Sequence, residues 1–381
     1  MKSRVLKLAE RVVERADRDH PADSVLRLEL KGRHGLDPSE TTDVARSVFC
    51  YFRWKGWLKE DQPLHERIAQ ATSLARRFSD EPKSFTDDDL VTHAVPGWIS
   101  RELSLTPAFA RALQTEPTLW LRSRPGQGRQ LTEQLGKCRS FGSGPLADTL
   151  AYSGSEDLFL TPEFHRGEFE VQDISSQAVG LFCAPSPGET WWDACAGEGG
   201  KLLHLSDLMS NKGLIWASDR AEWRLRRLKR RAARARVFNY RAVLWDGGAR
   251  LPTKGKFDGV LVDAPCTGTG TWQRNPHARW ALLPSDLEEM KKIQIELLTN
   301  AAKAVKPGGK LIYSVCSLVR SETAEVVHGF QGPNPDFNAL RIKNPLTDRE
   351  TSSDTISLWP QDFGGNGMFI AGWVRSQGAG P

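Results

Sequence analysis

Up to about residue 115, apolar residues recur three and four positions apart. VLKLAERVVERA from Val5, TTDVARSVFCYFRWKGWL from Thr41, LHERIAQATSLARRF from Leu64 and TPAFARALQ from Thr106 each predict an amphipathic helix. Pro-Ser-Glu at 38–40 and Pro-Lys-Ser at 82–84 mark helix entries or loops between them. From about 116 to 172 the pattern is mixed: a strand-like TLWLRSR, a helical LTEQLGKC, then turn-rich GSGPLADTLAYSGSEDLFLTPEF. Beyond about 173, short apolar runs alternate with helical ones. TWWDACA, GLIWASD, VFNYRAVLWD, FDGVLVDAPC and GKLIYSVCS predict strands, and KLLHLSDLMSN, AEWRLRRLKRRAARA and LEEMKKIQIELLTNAAKAV predict helices. Apolar strands joined by crossover helices predict a parallel sheet covered on both faces, with a ligand crevice at the strand ends. The expected organisation is an all-α region over 1–115, a small α+β region over 116–172 and an α/β region over 173–381.

Composition narrows the class. A chain of 381 residues, 39% hydrophobic and 26% charged, has material for two or three packed domains. It contains no apolar run of about 18 residues, so no transmembrane helix is predicted. The opening MKSRVLKLAERVVERADRDH lacks the apolar stretch of a signal peptide. Six cysteines are scattered without a CxxC pair, which argues against a zinc site or a disulfide framework and for a reducing cytoplasm. No other metal-ligand cluster is evident, and nothing points beyond a monomer. Charge is uneven. Arg220 to Arg241 holds ten Lys/Arg against Glu222 alone, a local +9 that leaves −4 for the rest of a chain whose total is +5. Such density suits a solvated helix or a polyanion partner; charge alone does not separate nucleic acid from an acidic protein.

The chemistry gathers at the predicted strand ends. The first strand runs into Cys195-Ala196-Gly197-Glu198-Gly199-Gly200-Lys201, a glycine turn before a helix that lets backbone amides approach a ligand. Successive strands end at Asp219, Asp246 and Asp263. Acids in these places either cap the next helix or hold ribose hydroxyls, an adenine amine and a cation. Together with the turn they point to an adenosine-containing cofactor. Cys50, Cys138 and Cys183 read as small buried hydrophobes. Cys266 follows Asp263-Ala264-Pro265, and Cys316 lies in Tyr313-Ser314-Val315-Cys316-Ser317. Neighbouring parallel strands would bring both thiols to Asp263, where a nucleophilic role is plausible.

These residues resemble the Nol/Nop/Sun family of RNA cytosine-C5 methyltransferases over about 116 to 374. The likeness runs through Val171-Gln172-Asp173 with Ser176-Gln177, and Asp263-Ala264-Pro265-Cys266-Thr267-Gly268-Thr269-Gly270. It continues in Arg274-Asn275-Pro276 with Trp280, Pro307-Gly308-Gly309-Lys310, the Ser314–Ser317 motif with Glu322, and Gly367-Met368-Phe369. The chain departs from the family at Gly197-Glu198, usually Ala-Pro, and at Leu202, where a hydroxyl residue is common. The resemblance implies a Rossmann-like class I methyltransferase domain that uses S-adenosylmethionine. It also implies a small RNA-recognition-like domain ahead of it. Thr41–Leu58, with Arg46, Phe49, Tyr51 and Arg53, resembles a NusB-type RNA-binding domain, which precedes the catalytic core in the small-subunit rRNA branch of the family.

By the same resemblance the cofactor site is Cys195 to Lys201 with Asp219, Asp246 and Asp263. Cys316 is the nucleophile and Cys266 resolves the adduct; chemistry by itself does not rank the two thiols. Asp263 is the candidate to hydrogen-bond cytosine N3. Arg224, Arg227 and Arg231 on the arginine-rich helix, and Arg274, are expected RNA contacts, and Trp272 and Trp280 either line a base pocket or pack in the core. The expected substrate is a single-stranded or looped cytosine in 16S small-subunit rRNA. The same chemistry on transfer RNA or another rRNA site, and an inactive RNA-binding assembly factor, are the alternatives.

Overall fold

The computed structural model describes residues 3–31, 35–341, 343–347, 349 and 353–377. It divides into two compact units: 1–117 with 267–286 and 359–366, and 118–266 with 287–358 and 367–381. No helix among the described residues is long and apolar enough to cross a membrane.

The first unit is helical, with helices Ser3–Arg15, Ala22–Leu30, Pro38–Arg53, Leu64–Asp80, Asp87–His93 and Pro107–Gln114. Local sequence explains their starts. Asp37 accepts from the Glu40 amide and Glu40 returns the bond, with Pro38 at the first helical position. Thr86 and Thr106 cap their helices more simply, each accepting from the amide three residues on. Ala22–Leu30 was not expected from the pattern; its mixed ADSVLRLEL buries only Ala22, Val25, Leu26 and Glu29.

Two excursions from later in the chain complete this unit. Arg279, fully buried, donates to the carbonyls of Arg53 (3.4 Å), Ala94 (2.7 Å), Leu113 (3.1 Å) and Trp272 (3.1 Å). Trp272 is wholly buried here, and Trp280 donates its indole N–H to the Phe52 carbonyl at 2.7 Å. Of the two alternatives for these tryptophans, the contacts favour packing within this unit, with Trp280 half-buried. Of the residues carrying the NusB likeness, Arg46 is exposed, Phe49 is half-buried, and Tyr51 and Arg53 are buried. Arg53 gives a guanidinium N–H to the Gln273 carbonyl at 3.1 Å.

The second unit holds two sheets. The smaller is antiparallel, with β1 (Leu119–Ser123), β2 (Cys138–Ser140), β3 (Thr149–Tyr152) and β4 (Phe169–Val171) in the order β2-β3-β1-β4. Helices Gly128–Leu135 and Pro162–His165 make it a β-α-β-β-α-β arrangement around Leu121, Leu131, Leu150 and Phe169. The larger has eight strands: β5 (Thr190–Asp193), β6 (Leu214–Asp219), β7 (Tyr240–Leu244), β8 (Phe257–Asp263), β9 (Val305–Val315), β10 (Phe337–Ala339), β11 (Thr355–Leu358) and β12 (Met368–Arg375). The parallel run β9-β8-β5-β6-β7 is continued by antiparallel β12, which pairs with β10 and β11. Trp192, Trp245, Phe257 and Tyr313 pack its core, each burial contributing roughly 1.5–3 kcal/mol. Gly259 in β8 is required by shape, because a Cβ there would lie 2.3 Å from the Trp191 ring.

Candidate active site

The two sheets are held in one unit by buried charge. Arg122 donates to Gln172 at 2.6 Å and pairs with Asp207, which also takes Arg124 at 2.7 Å. Glu170, almost wholly buried on β4, accepts from Arg231 at 2.8 Å and pairs with Arg234, both on the arginine-rich helix Glu222–Arg234. Burial opposes the Glu170 charge, but the two guanidinium groups outweigh it and hold its pKa below the ordinary value. Arg231, expected at RNA, is thus engaged within the fold.

One cavity of about 640 Å³ opens at the carboxyl ends of β5, β6 and β8. Cys195, Ala196, Gly197, Glu198, Asp219, Asp246, Asp263, Cys266 and Cys316 all line it. Its apolar wall includes Trp245, Ile293 and Leu297. Between β5 and helix Gly200–Leu208 the chain turns through Gly197 (φ 53°) and Gly199 (φ 87°). At Gly199 a Cβ would also meet Leu228 at 2.8 Å, so the turn needs glycine twice over.

Asp219 braces that turn: its carboxylate accepts from the amides of Gly197 (3.1 Å) and Ala221 (2.8 Å). Capping and ligand-holding are therefore compatible roles, since a carboxylate has further lone pairs for hydroxyl donors. Asp246 is exposed and accepts from the Gly248 amide at 2.9 Å. The unusual Glu198 is engaged by Arg227 at 2.6 Å, so its charge is matched on the rim. Arg224 lines the cavity and stands 3.8 Å from Asp219, whereas Arg274 is exposed on the 267–286 excursion of the helical unit.

Strand register assembles the reactive end. Asp263 and Ser314 are partners across parallel β8 and β9, and each strand runs on to its cysteine within three residues. The Cys266 and Cys316 sulfurs lie 3.3 Å apart. Ser314 donates to Asp263 at 2.8 Å, and Lys201 donates to the other carboxylate oxygen at 2.6 Å. Burial works against the Lys201 ammonium, but Asp263, with smaller help from Cys316 and Asp193, raises its pKa. Asp193, fully buried at the end of β5, is pushed up to about 8 by burial and then by Asp263. Burial, then Asp193, pushes the Cys195 thiol upward, so Cys195 stays protonated.

Sequence reasoning missed the supports of this cluster. Gln294 donates to the Pro265 carbonyl at 2.9 Å and to Glu322 at 3.0 Å, and Tyr313 donates to the Glu322 carbonyl at 2.8 Å. This fastens the turn that carries Cys266. Gln294 lies in an ordinary helical stretch with no local signal. Ser314, two residues before Cys316, and the lysine closing the glycine turn were the visible hints.

A glycine turn and acids at the ends of a parallel sheet closed by an antiparallel strand define a Rossmann-like methyltransferase. The family described as 16S rRNA methyltransferase RsmB/F matches residues 181–374, half of the chain, and the chain belongs to it. The enzymes of that family depend on S-adenosylmethionine. The chain is 35% identical over 241 residues to the probable ribosomal RNA small subunit methyltransferase B of Bacillus subtilis, covering 62% of this chain and 54% of that one. It is 30% identical over 294 residues to the ribosomal RNA small subunit methyltransferase B of Citrobacter koseri, covering 74% and 66%. The chain thus spans about half the length of the Bacillus relative. A methyltransferase homolog from Pyrococcus horikoshii has a similar fold, with TM-score 0.58 and 27% identity over 71% of this chain and 90% of that one.

Proposed function

We propose that the protein transfers methyl groups from S-adenosylmethionine to cytosine C5 in 16S small-subunit rRNA through a covalent cysteine adduct. The observation that carries this reading is the pair of thiols 3.3 Å apart beside the Lys201–Asp263–Ser314 cluster, on a cavity large enough for a nucleoside cofactor. The glycine turn with Asp219 and Asp246 would hold the cofactor, which supplies an electrophilic methyl on a sulfonium. The helical unit serves as a NusB-type RNA-binding domain, and the small sheet as an RNA-recognition-like one.

Cytosine C5 is a weak nucleophile inside an aromatic ring. Addition of the Cys316 thiolate to C6 breaks that aromaticity and places the electron pair at C5, which then takes the methyl group. Cys266, as a base, removes the C5 proton; the electrons of that bond rebuild the C5–C6 double bond and expel the Cys316 sulfur. Lys201 favours the thiolate as a nearby cation. Asp263, held by Lys201 and Ser314, orients the base edge at N3.

The test is methyl transfer from labelled S-adenosylmethionine to unmodified 16S rRNA. Cys316→Ala is expected to lower it by at least about 10³-fold. Cys266→Ala is expected to trap protein–RNA adduct that survives denaturing gels. Loss with Cys266→Ala alone would reverse the two thiols. Transfer to transfer RNA alone would keep the chemistry and sink the substrate.

A further inference from the structure

Trp223 is the large apolar side chain of the arginine-rich helix that stands exposed. The buried face of that helix is Leu225, Leu228 and Ala232. Trp223, in its first turn, is 46% exposed. The guanidinium carbons of Arg227 and Arg224 lie 4.9 and 5.3 Å from the Trp223 ring centroid. Arg227 reaches Glu198 and Arg224 lines the cavity, so this indole stands at the cavity's rim. Helical periodicity puts Arg226 and Arg230, both exposed, on the Trp223 side of the helix, where Arg226 also pairs with Glu222 at 3.0 Å, a contact that a phosphate would compete for. Arg231 and Arg234 are spent on Glu170, which leaves this face as the helix's outward positive surface.

We propose that Trp223 is a stacking platform for an unpaired base of the substrate RNA, with Arg226 and Arg230 contacting the neighbouring phosphates. The inference rests on the RNA reading above and adds to it a specific site beside the cofactor cavity. An exposed indole offers a flat apolar face that any nucleobase covers, and the flanking guanidinium groups attract the phosphate chain that brings the base there. An acidic peptide would satisfy the arginines and leave the ring uncovered. That asymmetry selects single-stranded RNA.

The experiment measures anisotropy of three labelled probes with the full chain: a mixed-sequence single-stranded oligoribonucleotide, an abasic ribose-phosphate oligomer of equal length, and polyglutamate. Trp223→Ala is expected to weaken oligoribonucleotide binding by about 5- to 100-fold and leave the abasic oligomer unchanged, while Trp223→Phe keeps most of the affinity. Arg230→Ala is expected to weaken both nucleic probes and reduce the salt slope by about 0.7. Circular dichroism and S-adenosylmethionine binding check that each variant is folded. Equal loss on the abasic oligomer, no loss with Trp223→Ala, or Trp223-dependent capture of polyglutamate would overturn the platform. Wild-type protein that binds S-adenosylmethionine but neither nucleic probe would instead bring down the RNA reading beneath it.

Discussion

Arg279 in the helical unit and Lys201 after the glycine turn are both cations withdrawn from water, yet their environments drive them in opposite directions. Arg279 is surrounded by neutral dipoles, the carbonyls of Arg53, Ala94, Leu113 and Trp272. Burial, and then Arg53, bring its pKa down to about 9, still high enough to keep it charged at neutral pH. Lys201 faces the Asp263 carboxylate, with the Cys316 and Asp193 charges also acting on it, and its pKa rises. Carbonyls fix a cation's position without exchanging protons with it. A carboxylate and a thiol around an ammonium form a set in which each proton depends on the others. The first arrangement fixes position, and the second couples the protonation of neighbouring groups.

Breaking Lys201 should have the larger consequence. Lys201→Met strips Asp263 of its cation and Cys316 of a positive charge that acts on it, and methyl transfer is expected to fall about 10²- to 10³-fold. Alkylation of the cysteines by iodoacetamide should shift to higher pH; an unmoved alkylation profile would place Lys201 outside the thiol chemistry. Arg279→Met should act on stability instead. Four carbonyls lose a donor, which costs about 3–4 kcal/mol, read as a lower urea midpoint. Arg279→Lys should recover little, because an ammonium cannot span the fork; full recovery would show that charge rather than geometry matters.

The remaining test concerns pH. Asp193 is held near 8 when folded and titrates near 3.8 in the unfolded chain. Between those values the folded state keeps a proton that the unfolded state has lost. Its contribution to stability therefore falls as pH rises through that window and levels off above about 8. Asp193→Asn should remove the decline and raise the melting temperature more at pH 8.5 than at pH 5. An equal rise at both pH values would mean that Asp193 does not titrate in the window.

The sheet and its chemistry were legible because each strand is a short apolar run closed by an acid or a cysteine. Asp219 and Asp263 end their strands where the alternation of runs predicts, whereas β7 stops at Leu244, two residues short of Asp246; two cysteine motifs at matching strand ends foretell the thiol pair. The roles of the tryptophans were not legible. Trp272 and Trp280 follow the Asp263–Cys266 segment in sequence but belong to the helical unit. Nothing in local periodicity tells a chain to return 150 residues later to an earlier core, and Arg279 looks like any basic residue of a short helix. Likewise Arg231 reads as RNA-facing from charge density, and only the fold reveals Glu170 beneath it.

The interleaving of the helical unit bears on how the chain is made. Phe109 packs edge-on against Trp359, and Arg279 closes carbonyls as early as Arg53. When a ribosome has passed residue 117 but has not reached residue 267, the core of these helices lacks both contributions. The helices would wait, incompletely packed, while roughly 250 further residues emerge at about 5–20 per second. These helices therefore precede Arg279 and Trp359 in synthesis and are completed only after them, and a nascent chain stalled before Arg279 would expose a core that a chaperone or protease can recognise.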